Sequence, residues 1–146
     1  MTDRRGGVGS TGGVRGDLKQ RVKTARKRTV SQTRWLERQL NDPYVARART
    51  EGYRSRAAFK LLEMDDHYKL LRPGQRIVDL GAAPGGWSQV ASQRTEAAAG
   101  SGKVVGIDLL EMEPVLGVDF AVMDFNDEDA PGRITGMMGG RADGVM

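Results

Sequence analysis

The sequence predicts an α/β domain, a parallel sheet with helices on both faces. Three observations carry this reading. Short apolar runs with strand character recur as RIVDL (76–80), KVVGI (103–107) and VDFAV (118–122), and ADGVM (142–146) opens like a fourth. Helical periodicity lies before and between these runs, and strands alternating with helices imply parallel βαβ units. The first run carries an acid and breaks into a loop of small residues, Gly81–Gly86, while Asp108 and Asp124 stand at or just past the ends of the next two.

Residues 1–30 have almost no apolar periodicity and six glycines. They read as a basic, disordered tail, with Lys19–Arg28 a cluster able to order on a polyanion. A helical segment, 31–75, follows. Trp35, Leu36 and Leu40 recur at helical spacing, and Asn41-Asp42-Pro43 reads as a stop and a new start. Asp42 can cap a helix whose first turn takes Pro43, where a missing N–H costs nothing. That helix runs to about Glu51, with Gly52 as its C-terminal punctuation. Ser55 is the expected N-cap of a third helix reaching Leu71. At 100° per residue Ala58, Phe59, Leu61 and Leu62 share one side, and Lys60 falls nearly opposite with Glu63 and His67. Arg72-Pro73-Gly74 closes the segment. Residues 76–146 form the α/β portion, with a helix beginning at Trp87 and another near Asp127–Asp129. A doubly wound sheet usually needs more strands than these, so the chain reads as the front part of a domain, lacking its C-terminal part.

Composition narrows the class. With 146 residues, 38% hydrophobic and 29% charged, the chain suits one soluble domain. It has no cysteine, which excludes disulfides and thiolate metal sites, and one histidine, His67, leaves little for a zinc site. No apolar run approaches the roughly 20 residues of a membrane span, and no secretory signal is visible. A cytoplasmic, monomeric protein without metal is expected. Residues 1–60 hold 16 Lys/Arg against 5 Asp/Glu, and residues 61–146 hold 7 against 14. A basic front joined to an acidic remainder suggests a polyanionic partner met through the N-terminal side.

The glycine loop indicates a ligand. Open α/β sheets bind ligands at the carboxyl ends of their strands. Gly81, Gly85 and Gly86 allow close backbone approach, and the start of the next helix adds free N–H groups and partial positive charge. Asp108 can accept from ribose hydroxyls and Asp124 from an adenine amino group. The dinucleotide spacing G-x-G-x-x-G is absent, as is a P-loop Lys-Ser/Thr pair. An adenosine cofactor without pyrophosphate, such as S-adenosylmethionine (SAM), fits better than NAD.

VDLGAAPGGWSQ (78–89) resembles the SAM-binding motif of the FtsJ-like (RrmJ) ribosomal RNA ribose 2′-O-methyltransferases. TRWLERQLNDPYV (33–45), RSRAAFKLLEMD (54–65) and DLLEMEPVLGVDF (108–120) with the MDF after it are similar to further family segments in the same order. The resemblance implies a Rossmann-like methyltransferase sheet, SAM as cofactor, and a uridine of 23S rRNA in the large ribosomal subunit as substrate. It implies cofactor contacts at Gly85 and Trp87, a ribose-side acid at Asp108 and an adenine-side acid at Asp124. Lys60 matches the first lysine of the family's Lys-Asp-Lys-Glu catalytic set, and the other three belong to downstream segments beyond Met146. A non-catalytic RNA-binding module, or an inactive fragment keeping the SAM pocket, is the alternative.

Methyl transfer to a ribose hydroxyl needs alignment of donor and acceptor and a place for the proton. Lys60 is expected to orient the ribose or phosphate and stabilise charge near the reacting oxygen. Arg54 and Arg56 are candidates for RNA phosphates. Trp87 is expected both to anchor the core and to face the ligand. His67 is expected to have no role, and Trp35 and Tyr44 to tie the N-terminal helices to the domain rather than stack bases.

Overall fold

Thr29 opens the described part, residues 29–146, of the computed structural model. The expected tail therefore lies almost wholly outside the described residues. Helix α1 (Val30–Asn41) starts on a reciprocal cap: Gln32 N–H donates to Thr29 Oγ1 at 3.2 Å, and Thr29 N–H to Gln32 Oε1 at 3.1 Å. This is a capping box, which satisfies two otherwise orphaned donors. The helix belongs to a first unit ending at Asn41, and Asp42–Met146 form a second. The break falls at the Asn41-Asp42-Pro43 stop, and the two helices after it share a unit with the sheet.

Helix α2 (Pro43–Glu51) begins as its sequence requires. Asp42 is extended and its carboxylate accepts from Tyr44 N–H at 2.8 Å, Pro43 takes the first turn, and Gly52 closes the helix at φ 82°. Helix α3 (Ala57–Tyr68) departs from expectation at both ends. Arg56 occupies the N-cap position with no side-chain cap, so Ser55 does not cap this helix. At the other end Lys69 adopts φ 53°, and Leu71 N–H donates to Asp65 Oδ1 at 2.6 Å. Arg94 holds the other Asp65 oxygen at 3.2 Å. The helix thus ends three residues short of Leu71, whose N–H the buried carboxylate takes instead.

Strands β1 (Arg76–Leu80), β2 (Lys103–Asp108), β3 (Val118–Val122) and β4 (Gly144–Val145) make one parallel sheet in the order β3-β2-β1-β4. Helices α4 (Gly86–Thr95) and α5 (Ala130–Met138) complete the unit. Alternation along the strands separates two faces. Val78, Val105 and Ile107 pack with Met123, Ala130 and Met138 on the α5 side. Ile77 and Val104 pack with Ala91 on the α4 side, where Val90 joins Ala58 and Leu61 of α3.

One connection breaks the strand-helix alternation. No helix joins β2 to β3; residues 109–117 run as an irregular link. It is pinned to α4 by Ser92 Oγ, which donates to Leu116 O at 2.6 Å, and by the buried side chain of Val115. Gly117, at φ 81°, lets it pass: a Cβ there would lie 2.3 Å from Ser92 Oγ.

Candidate functional site

Where β1 ends, Gly81 turns the chain at φ 79°, and Gly81 and Ala82 N–H both donate to Ile107 O, at 2.9 and 3.0 Å. The loop is thereby fastened to the end of the neighbouring strand. Asp108 fastens it again, its Oδ2 accepting from Ala83 N–H at 3.0 Å and its Oδ1 from Leu110 N–H at 2.8 Å. The Ala83-Pro84 peptide is cis. A cavity of about 220 Å³ opens at this loop, bounded by Asp79, Gly81, Ala83, Gly86, Trp87 and Met146 among others.

The three glycines do different work. A Cβ on Gly81 would meet nothing within 4 Å, so this position faces open space beside the cavity. At Gly85 (φ 113°) a Cβ would lie 3.0 Å from Val115 Cγ2 and 3.3 Å from Arg54, and at Gly86 it would lie 2.4 Å from Ser55 Oγ. Close approach at Gly85 and Gly86 is therefore approach of the protein to itself. Ser55, expected as a helix cap, instead packs against the start of α4.

Three carboxylates stand at the carboxyl ends of three adjacent strands: Asp79 in β1, Asp108 closing β2 and Asp124 just after β3. Asp79 is 2% exposed and accepts from Ser88 Oγ at 2.6 Å. Burial raises its pKa above the ordinary carboxylate value, Ser88 opposes the rise, and the charge of Asp108 adds to it. Asp124 Oδ1 accepts from Asn126 N–H at 2.9 Å, which shapes the turn after β3. Sequence reasoning misses Asp79 as a site residue; an acid inside an otherwise apolar strand is the available signal.

Trp87 packs on the Ala58–Leu61–Val90 cluster while lining the cavity, and its Nε1–H donates to Ala57 O at 2.8 Å. Lys60 is exposed and lines a second recess, of about 330 Å³, with Tyr44, Arg56, Phe59 and Glu63. Ala57 borders both hollows, so the lysine's recess adjoins the loop's cavity.

The two arginines separate. Arg54 is spent within the protein: its guanidinium donates to Pro84 O at 3.3 Å and to the carbonyls of Glu113 and Pro114. Its N–H donates to Gln89 Oε1 at 2.9 Å. It clamps the glycine loop to the β2–β3 link, with three guanidinium hydrogen bonds committed to backbone carbonyls. Arg56 pairs with Asp42 at 2.6 Å and keeps a half-exposed side chain. His67 is exposed, edge-on to Tyr68 at 4.5 Å. Tyr44 is 50% exposed, with its ring 6.3 Å from that of Phe59, and Trp35 in α1 is 55% exposed. Among the described residues no cluster of His, Cys, Asp or Glu could hold a metal, and no helix is long and apolar enough to cross a membrane.

The model of the FtsJ-like methyltransferase family matches residues 53–146, from the segment before α3 through the whole sheet. This chain belongs to that family. "Ribosomal RNA large subunit methyltransferase E" of Bradyrhizobium diazoefficiens is 62% identical over 131 residues, covering 90% of this chain and 58% of that protein. The protein of the same name from Xanthobacter autotrophicus is 64% identical over 129 residues, covering 88% and 51%. The FtsJ-like chain described here thus spans little more than half the length of these relatives. A crystal structure from Plasmodium falciparum aligns over 53% of this chain and 41% of its own, with 38% identity and a TM-score of 0.47. The Rossmann-like α/β sheet expected from the sequence is the sheet observed.

Proposed function

We propose that this FtsJ-like chain binds S-adenosyl-L-methionine at the Gly81–Trp87 loop and serves the methylation of a uridine ribose 2′-hydroxyl in 23S rRNA of the large ribosomal subunit. The observation that carries the cofactor reading is the row of three carboxylates, Asp79, Asp108 and Asp124, along the strand ends. Asp79 and Asp108 already repel each other, so a cationic ligand relieves that repulsion while a pyrophosphate adds to it. SAM brings an ammonium and a sulfonium, with ribose hydroxyls and an adenine amino group as donors for the remaining acids. Gly81 supplies open space, and Trp87 an apolar wall with its N–H already satisfied.

When bound, SAM would supply an electrophilic methyl carbon, its bond to sulfur breaking as the bond to the ribose oxygen forms and the hydroxyl proton leaves to a base or water. What the protein adds is alignment, and a response to charge on the oxygen. Lys60, one helical turn beyond Ala57, orients the ribose or its phosphate and stabilises that charge. The names of the relatives support ribosomal RNA as the substrate. Arg56, half-exposed and with guanidinium donors beyond the one given to Asp42, is a candidate for an RNA phosphate.

A calorimetric titration of the 146-residue chain with SAM and, separately, with NAD tests the reading. Saturable binding of SAM alone is expected. NAD binding, or no SAM binding by a folded sample, overturns it.

A further inference from the structure

We infer that the recess beside Lys60 is a nucleobase subsite, with the Tyr44 ring as its stacking platform; this rests on the RNA-directed reading above. The occupant is a nucleotide neighbouring the target ribose. Tyr44 is held in place before any ligand arrives. Its N–H is fixed by the Asp42 cap, and its ring lies 6.3 Å from Phe59 at 48°. Phe59 is itself buried, edge-on to Tyr53 at 5.6 Å, with the Arg47 guanidinium 4.4 Å from its ring centroid. An aromatic ring backed this firmly, yet half exposed, offers a flat surface at little further cost in conformational entropy.

The surrounding charges favour a nucleotide over a simple anion. Arg56 and Lys60 border the recess and suit a phosphate and sugar, whereas Glu63 on the same recess would repel a phosphate and can accept from a base N–H. A stacked base with its edge toward Glu63 and its backbone toward the two cations satisfies all three. Ala57 borders both this hollow and the cavity at the glycine loop, so a base held here is expected to belong to RNA whose next ribose is directed to the loop.

The test is fluorescence anisotropy with a short single-stranded RNA, intact or carrying one abasic nucleotide scanned along it. Tyr44→Leu keeps apolar bulk against Phe59 but removes the stacking face, and its dissociation constant is expected to rise about tenfold. Tyr44→Phe should stay within about twofold of the native chain. At one position the abasic substitution should weaken the native chain and leave Tyr44→Leu unchanged, with SAM affinity equal in all three proteins. Native RNA affinity in Tyr44→Leu, or abasic effects that add in full to that of Tyr44→Leu at every position, overturns the subsite and leaves the RNA reading standing. No RNA affinity in the native chain, with SAM still bound, overturns both.

Discussion

Asp79 is a carboxylate that the fold keeps at some expense. Its folded pKa is raised, so between the ordinary unfolded value of about 3.9 and that raised value the native state binds more protons than the unfolded one. Stability therefore falls as pH rises through this window, and the deficit is constant above it. Asp79→Asn keeps an acceptor for Ser88 Oγ and removes the charge. The variant should melt higher than the native chain at pH 7, with the gap closing below about pH 4. It should also bind SAM more weakly, because the cation loses its buried counter-charge. Equal SAM affinity in calorimetry would separate Asp79 from the cofactor. Roles at this scale are only partly legible in the sequence. Arg54 and Arg56 are two residues apart and read alike, yet one reaches three carbonyls on two loops and the other a single capping carboxylate. Carbonyl positions are set by the folded backbone, which residue identities do not display.

The elements explain why the loop holds its shape. The segment before α3 and the start of α4 meet at Ser55 and Gly86 so closely that a methyl group cannot enter. Gly86→Ala should destabilise by roughly 1–3 kcal/mol, the scale of overpacking, and lower the melting temperature by several degrees. Adding Ser55→Ala removes the clashing oxygen and leaves the new methyl an ordinary 3.5 Å from the Ser55 Cβ, so the double variant should recover most of the stability. No recovery in thermal unfolding would show that the strain lies elsewhere. Gly85→Ala should have no such rescue, because its φ of 113° is strained for any side chain. Element boundaries are legible where local chemistry decides them. Asp42, Pro43 and Gly52 mark α2 by themselves, and RIVDL is the whole of β1. They are illegible where a distant residue decides. Helix α3 stops at Tyr68 because Asp65, held by Arg94 from α4, captures Leu71. The β2–β3 link lies flat without a helix because Ser92 and Arg54 hold its carbonyls.

For the whole molecule, the division of charge makes two demands that one surface cannot meet. On the proposed function, acids at the strand ends favour a cationic cofactor and repel an RNA phosphate, so RNA affinity would have to come from cations elsewhere along the chain. Residues 1–28, outside the described structure, carry nine Lys/Arg against two Asp. Among the described residues, the cavity and the recess of Lys60 are lined by side chains of the unit Asp42–Met146. Deleting residues 1–28 should therefore leave SAM affinity unchanged and weaken RNA binding most at low salt. For every phosphate that the deletion leaves unneutralised, the slope of log affinity against log salt should flatten by about 0.7, the value for single strands. A slope unaltered by the deletion would mean that the segment neutralises no phosphate. The burden would then fall on Arg56, Lys60 and the other cations of the folded part. A slope flattened by several such steps, with SAM binding intact, would make the front of the chain the electrostatic arm and the sheet the cofactor site.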